Sequence, residues 1–149
     1  MTDEQLIEAA RAAALKAYAP YSNFSVGCAI LSVDGDVVTG ANMENACYRL
    51  GVCAEISAIT AAQTKFGLEK VARIAVAGGN GSGAELTGEN TVTPCGGCRQ
   101  AILEAAQLSG RDIGILCASG DGTQSEHHSI VALMPFGFGP NSLKGRGPT

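Results

Sequence analysis

Apolar residues along this chain switch repeatedly between helical and strand spacing, and the order of those switches restricts the fold more than any other feature. Leu6, Ala9, Ala10, Ala13, Ala14 and Ala17 recur at helical spacing up to about Tyr18. Thr2, with Gln5 three residues later, makes a capping-box start for this helix. Pro20 stops it, and Tyr21-Ser22-Asn23-Phe24 reads as a loop. Residues 26–33 form a strand-like run, Asp34-Gly35 a two-residue hairpin turn, and residues 36–39 the returning strand. Residues 42–52 are irregular and polar, and helical spacing resumes from Cys53 to about Lys65. A short buried strand is expected at 74–77, bounded by Gly78-Gly79. The Gly-, Ser- and Thr-rich stretch 80–93 follows as a loop. A third helix runs from about Cys95 to Leu108, after Pro94 and ended by Gly110. Two last strands are expected at 113–117 and 130–134, with Asp121-Gly122 in the turn between them. The order α-β-β-α-β-α-β-β predicts an α/β fold with five strands in one sheet and helices on its faces.

At 149 residues the chain is expected to form a single domain, 1–149, with a loop-like tail from about 139. Its net charge of −4 gives no electrostatic footprint for nucleic acid or an anionic membrane. No apolar run is long enough to span a bilayer. The first residues, Met1-Thr2-Asp3-Glu4-Gln5, are the reverse of a secretory signal, so a cytoplasmic, reducing location is expected. The six cysteines then read as thiols or metal ligands before disulfides. Aromatic residues make up only 5%, and small side chains bury little area each, which is compatible with a partner subunit covering part of the surface.

The sharpest chemical signal is Pro94-Cys95-Gly96-Gly97-Cys98, with Cys53-Ala54-Glu55 upstream. Two sulfurs three residues apart at a helix start can reach one ion, and Cys53, also at a helix start, is the natural third ligand. Helix N-termini favour thiolate over thiol. Glu55 is then the proton carrier beside the open fourth position. That role requires Cys53 to lie at the helix boundary, since two residues along an ideal helix point nearly opposite ways. A redox pair, a structural zinc site or two small buried residues are the competing readings of Cys-x-x-Cys. Cys28 and Cys117 fall on strands as core residues. His127 and His128 sit in a polar hairpin and read as solvated surface.

Cys53-Ala54-Glu55 followed by Pro94-Cys95-Gly96-Gly97-Cys98-Arg99-Gln100 resembles the zinc-dependent nucleoside and nucleotide deaminases. Tyr21-Ser22-Asn23-Phe24-Ser25-Val26-Gly27 and Asn42-Met43-Glu44-Asn45-Ala46-Cys47-Tyr48 narrow the resemblance to the small homotetrameric cytidine deaminases. Matching segments run from the first helix to the Pro135–Pro140 stretch. The resemblance implies a three-layer α/β/α fold with a five-stranded mixed sheet, and deamination of cytidine and 2′-deoxycytidine. It implies one zinc ion per chain on Cys53, Cys95 and Cys98, with Glu55 moving protons. It also implies that the Ala54 backbone holds the pyrimidine edge, Phe24 stacks on the base, and Asn42 and Glu44 bind the ribose hydroxyls. Tyr48 and Phe138 resemble aromatics that neighbouring subunits contribute in a homotetramer with shared sites.

Each of these roles has a plainer counterpart. Asn42 can stabilise a turn, Glu44 can be a solvated charge, and Phe24 and Phe138 can be core residues. Two departures stand out: Ile56 replaces the Arg that commonly follows the catalytic Glu, and the 80–93 loop matches no family motif. Arg49 and Arg99 are the candidates for offsetting thiolate charge. Asn42-Met43-Glu44 argues for a free nucleoside rather than a nucleotide, because no basic cluster awaits a phosphate. Another small substrate such as blasticidin S, and a non-catalytic zinc protein, are the rival functions. Glu55 speaks against the second, since a structural site needs no adjacent carboxylate.

Overall fold

The computed structural model describes residues 1–81 and 84–144. Helix α1 (Asp3–Ala14) begins at the expected capping box: the Gln5 amide donates to Thr2 Oγ1 at 3.2 Å, and the Thr2 amide to Gln5 Oε1 at 2.9 Å. Strands β1 (Phe24–Ser32) and β2 (Val37–Ala41) flank a turn in which Gly35 takes φ +92°, a conformation that suits glycine. Helix α2 (Ala54–Lys65) leads to β3 (Val71–Asn80), and α3 (Gly96–Ser109) to β4 (Gly114–Ser119) and β5 (Ser125–Ser129). The short helices α4 (Ile130–Leu133) and α5 (Pro140–Leu143) complete the described fold.

The sheet order is β2-β1-β3-β4-β5, with β3 and β4 parallel and every other pair antiparallel. Strand alternation gives each face its own core. Leu6 and Ala10 of α1 pack on Ala29, Ala75, Ala77, Leu116 and Ala118. On the opposite face, Ala54, Ala58 and Ala62 of α2 and Ile102 and Ala106 of α3 join Cys28, Ile74, Val76, Ile115 and Cys117. The result is the three-layer α/β/α arrangement with a five-stranded mixed sheet. It sets the N-termini of α2 and α3 side by side on one face.

Five features differ from what the sequence predicts. The run 130–134 is a helical turn instead of a strand, started by Ser129, whose Oγ accepts from the Ala132 amide at 3.2 Å. The fifth strand is the polar Ser125–Ser129, on the sheet edge, where a strand needs no apolar alternation. Strand β3 continues through Gly78 and Gly79 because these residues make room for a crossing chain: a Cβ on Gly79 would stand 1.8 Å from the Thr87 carbonyl oxygen. Helix α1 ends at Ala14, and Tyr18 instead bridges to Met43. In the tail, Pro140–Leu143 is helical, and positions 145–149 lie outside the described residues.

Candidate active site

Cys53 and Cys95 are the N-cap residues of α2 and α3, both with extended backbone (φ −70°, ψ 154° and φ −68°, ψ 171°). Neither sulfur is spent on capping its own helix. Cys98 lies in the first turn of α3 and is buried. The three Sγ atoms fall within 4.8 Å of one another. Thiolates around tetrahedral zinc stand about 3.8 Å apart, given Zn–S bonds of about 2.3 Å, so this spacing suits three of the four positions around one ion. The backbone N–H groups of Cys98 and Gly97 at the open end of α3 draw the Cys95 pKa below the usual thiol value, as a helix N-terminus should. Burial pushes Cys53 and Cys98 upward. A divalent cation reverses that penalty, because it neutralises the charge that burial disfavours. This donor set fits zinc.

Glu55 is only 5% exposed and sits in the first turn of α2, immediately past the Cys53 cap. The boundary position of Cys53 lets ligand and carboxylate face the same way. Burial raises the Glu55 pKa, opposed by hydrogen bonds from its own backbone N–H and from the Cys98 thiol. Ala54, buried, opens the helix between them. Ile56 brings no charge, and Arg49 is exposed.

A cleft of about 460 Å³ leads to Cys53 between Tyr21, Ser22, Asn42, Glu44 and Tyr48. Asn42 accepts from the Val26 amide at 2.8 Å and donates to the Phe24 carbonyl at 3.0 Å. Glu44 accepts from the amides of Tyr21 and Ser22 at 2.9 and 3.1 Å, and from the Ser22 hydroxyl at 2.5 Å. The hydroxyl contact foremost holds the Glu44 carboxyl below the ordinary carboxylate range. The two residues therefore brace the 21–26 segment from across the cleft. Tyr48, 77% exposed, meets Tyr21 edge-on with ring centroids 5.7 Å apart. Phe24 and Phe138 are not core residues, being 38% and 61% exposed, and neither lines this cleft. The sequence assigns Ser22 no role of its own, although its segment Tyr21-Ser22-Asn23-Phe24 is part of the motif that carries the family resemblance.

Residues 1–109, which contain all three cysteines and Glu55, match the family described as the cytidine and deoxycytidylate deaminase zinc-binding region. The chain belongs to that deaminase family. This deaminase is 34% identical over 143 residues to a cytidine deaminase of Sporosarcina psychrophila, covering 96% of each chain. It is 42% identical over 104 residues to a cytidine deaminase of Halalkalibacterium halodurans, covering 70% of this chain and 72% of that one. Among solved structures, cytidine deaminase from Burkholderia pseudomallei superposes with a TM-score of 0.78 at 40% identity, over 93% of this chain and 100% of that one. The deaminase thus carries a zinc-binding region whose three thiols are positioned for one ion per chain. Among its described residues, no helix is long and apolar enough to cross a membrane.

Proposed function

We propose that this deaminase hydrolyses cytidine and 2′-deoxycytidine to uridine and 2′-deoxyuridine, releasing ammonia. The observation that carries the reading is the buried Glu55 beside three converging thiols, one of which, Cys53, lines a cleft together with Asn42 and Glu44. Zinc held by Cys53, Cys95 and Cys98 supplies Lewis-acid activation of water. Glu55 carries the protons. Its burial raises its proton affinity, which suits a group that must take a proton from water and pass it to ring N3, then take the proton of the new C4 hydroxyl and pass it to the leaving amine. The Ala54 backbone holds the pyrimidine edge and Phe24 stacks on its face.

Glu44 binds as a carboxylate, kept ionised by Ser22, and with Asn42 it takes the ribose hydroxyls through lone pairs left over from bracing the 21–26 segment. The free nucleoside is favoured over a nucleotide or polynucleotide, because among the described residues no basic cluster lines the cleft. The whole chain acts as one cytoplasmic domain that assembles as a homotetramer. Its exposed Tyr48 and Phe138 complete neighbouring sites in that assembly, which accounts for large aromatics left uncovered by their own chain.

The decisive test is ultraviolet loss of cytidine absorbance with purified zinc-loaded protein, with and without a strong chelator. Turnover of cytidine and 2′-deoxycytidine that the chelator abolishes is expected. A zinc-loaded protein that leaves both unchanged refutes the reading.

A further inference from the structure

Three thiolates leave a bound dication with excess negative charge, and Glu55 adds more. No cation follows Glu55, because Ile56 occupies that position. Arg99, directly after Cys98, is half-buried and turns its guanidinium toward the backbone on the other side of Cys95. Its Nε donates to the Pro94 carbonyl at 2.8 Å and its Nη1 to the Leu133 carbonyl at 3.3 Å. Leu133 closes α4, so one side chain from the first turn of α3 fastens the peptide entering Cys95 to a neighbouring element.

That anchor matters because the ligand turn has little other support. A Cβ at Gly96 or Gly97 would meet nothing within 4 Å, so no side chain packs on that outer surface. Cys95 makes no capping bond through its sulfur. The chain arrives at Pro94 from the long 80–93 connection, not from a strand or helix. Pro94 itself is buried, and its carbonyl is the last backbone acceptor before the ligand. On the core side, the Arg99 cation also acts on the buried Cys117 thiol, opposing the upward push of burial, Glu126 and Glu55.

We propose that Arg99 is a positioning residue for the metal: by spanning the Pro94 and Leu133 carbonyls it fixes the Cys95 sulfur at bonding distance. The fork of a guanidinium suits this task, since two donors in one plane address two carbonyls from different segments.

The test is zinc transfer from the full-length, zinc-loaded protein to a coloured chelator, 4-(2-pyridylazo)resorcinol, well below the melting temperature. Removal of an outer partner of a metal ligand costs about 10–100-fold in affinity, and Arg99→Gln is expected in that range. Arg99→Lys keeps the charge but cannot span both carbonyls, so it weakens zinc binding too, and it decides the matter if Arg99→Gln does not fold. Thr2→Ala serves as the control: it removes the α1 capping box on the opposite face of the sheet, far from both carbonyls, and zinc affinity is expected to stay at the parent value. The proposal is overturned if either folded Arg99 variant binds zinc within about twofold of the parent, or if Thr2→Ala loses zinc equally. Failure of the zinc assignment itself looks different, because the parent then yields no chelatable zinc at all.

Discussion

Gly79→Ala is the sharpest test of how the 80–93 connection is seated. The new methyl carbon would lie 1.8 Å from the Thr87 carbonyl oxygen, a backbone atom that cannot rotate away. Relief to an ordinary contact of about 3.2 Å requires the Thr87 peptide to retreat by about 1.4 Å. Thr87 is held in place by its amide and hydroxyl, which donate to the Asn80 carbonyl at 2.7 and 2.6 Å. Losing both bonds at about 0.5–1.5 kcal/mol each, on top of about 1–3 kcal/mol of overpacking, gives a destabilisation of about 2–6 kcal/mol. At about 2–4 °C per kcal/mol for a chain of this size, that lowers the melting temperature by about 4–24 °C. Gly96→Ala is the matched comparison: nothing lies within 4 Å of its Cβ, and alanine in a first helical turn is neutral or stabilising by a few tenths of a kcal/mol. Thermal melts of both variants at one protein concentration give the answer. A Gly79→Ala protein that melts with the parent would show that the connection does not press on β3, and the reasoning would fail.

Glu55→Gln should keep its zinc and its fold while turnover falls by about 10²–10⁴-fold or more, read by metal analysis beside the absorbance assay; near-normal activity would remove Glu55 from the mechanism. Phe138→Ala should raise the Michaelis constant at unchanged zinc content, with light scattering reporting a tetramer; a monomer at working concentration rules out shared sites. The Glu44 carboxyl has its pKa lowered by Ser22, so its clasp on the 21–22 loop is present above the unfolded-state value and is lost as pH falls through the folded one. Ser22→Ala should therefore move the Glu44 titration upward, as followed by carboxyl NMR; an unmoved titration would show that the hydroxyl is not the cause.

The features legible in the sequence are those set by nearby residues. The Thr2–Gln5 box, the Asp34-Gly35 turn, and the helix starts at Cys53 and Cys95 each depend on a few adjacent side chains, and each stands where expected. The zinc cluster was legible for the same reason, since cap positions fix where a ligand points. What escaped was decided at long range. Gly78-Gly79 looks like a strand end until the Thr87 carbonyl is known to lie across it. Ile130 to Met134 has strand-like composition, yet Ile130 is buried as the first residue of a capped helical turn. Nothing local to Asn42 or Glu44 discloses that both reach back some 16 to 23 residues to hold the 21–26 segment.

The edge strand β5 carries a consequence for how this protein behaves in crowded solution. A mixed sheet with two open margins offers two rows of unpaired amides and carbonyls, each a template for adding a foreign strand and, by repetition, a fibril. On one margin that template is Ser125-Glu126-His127-His128-Ser129, five residues with no aliphatic side chain, three of them exposed. Glu126 is tied to Thr91 at 3.0 Å and to His128 at 2.9 Å, so its charge is pinned on the margin. A strand arriving there would have to bury that carboxylate against its own backbone. The composition that makes β5 a poor strand by propensity is what makes it a safe one to leave uncovered.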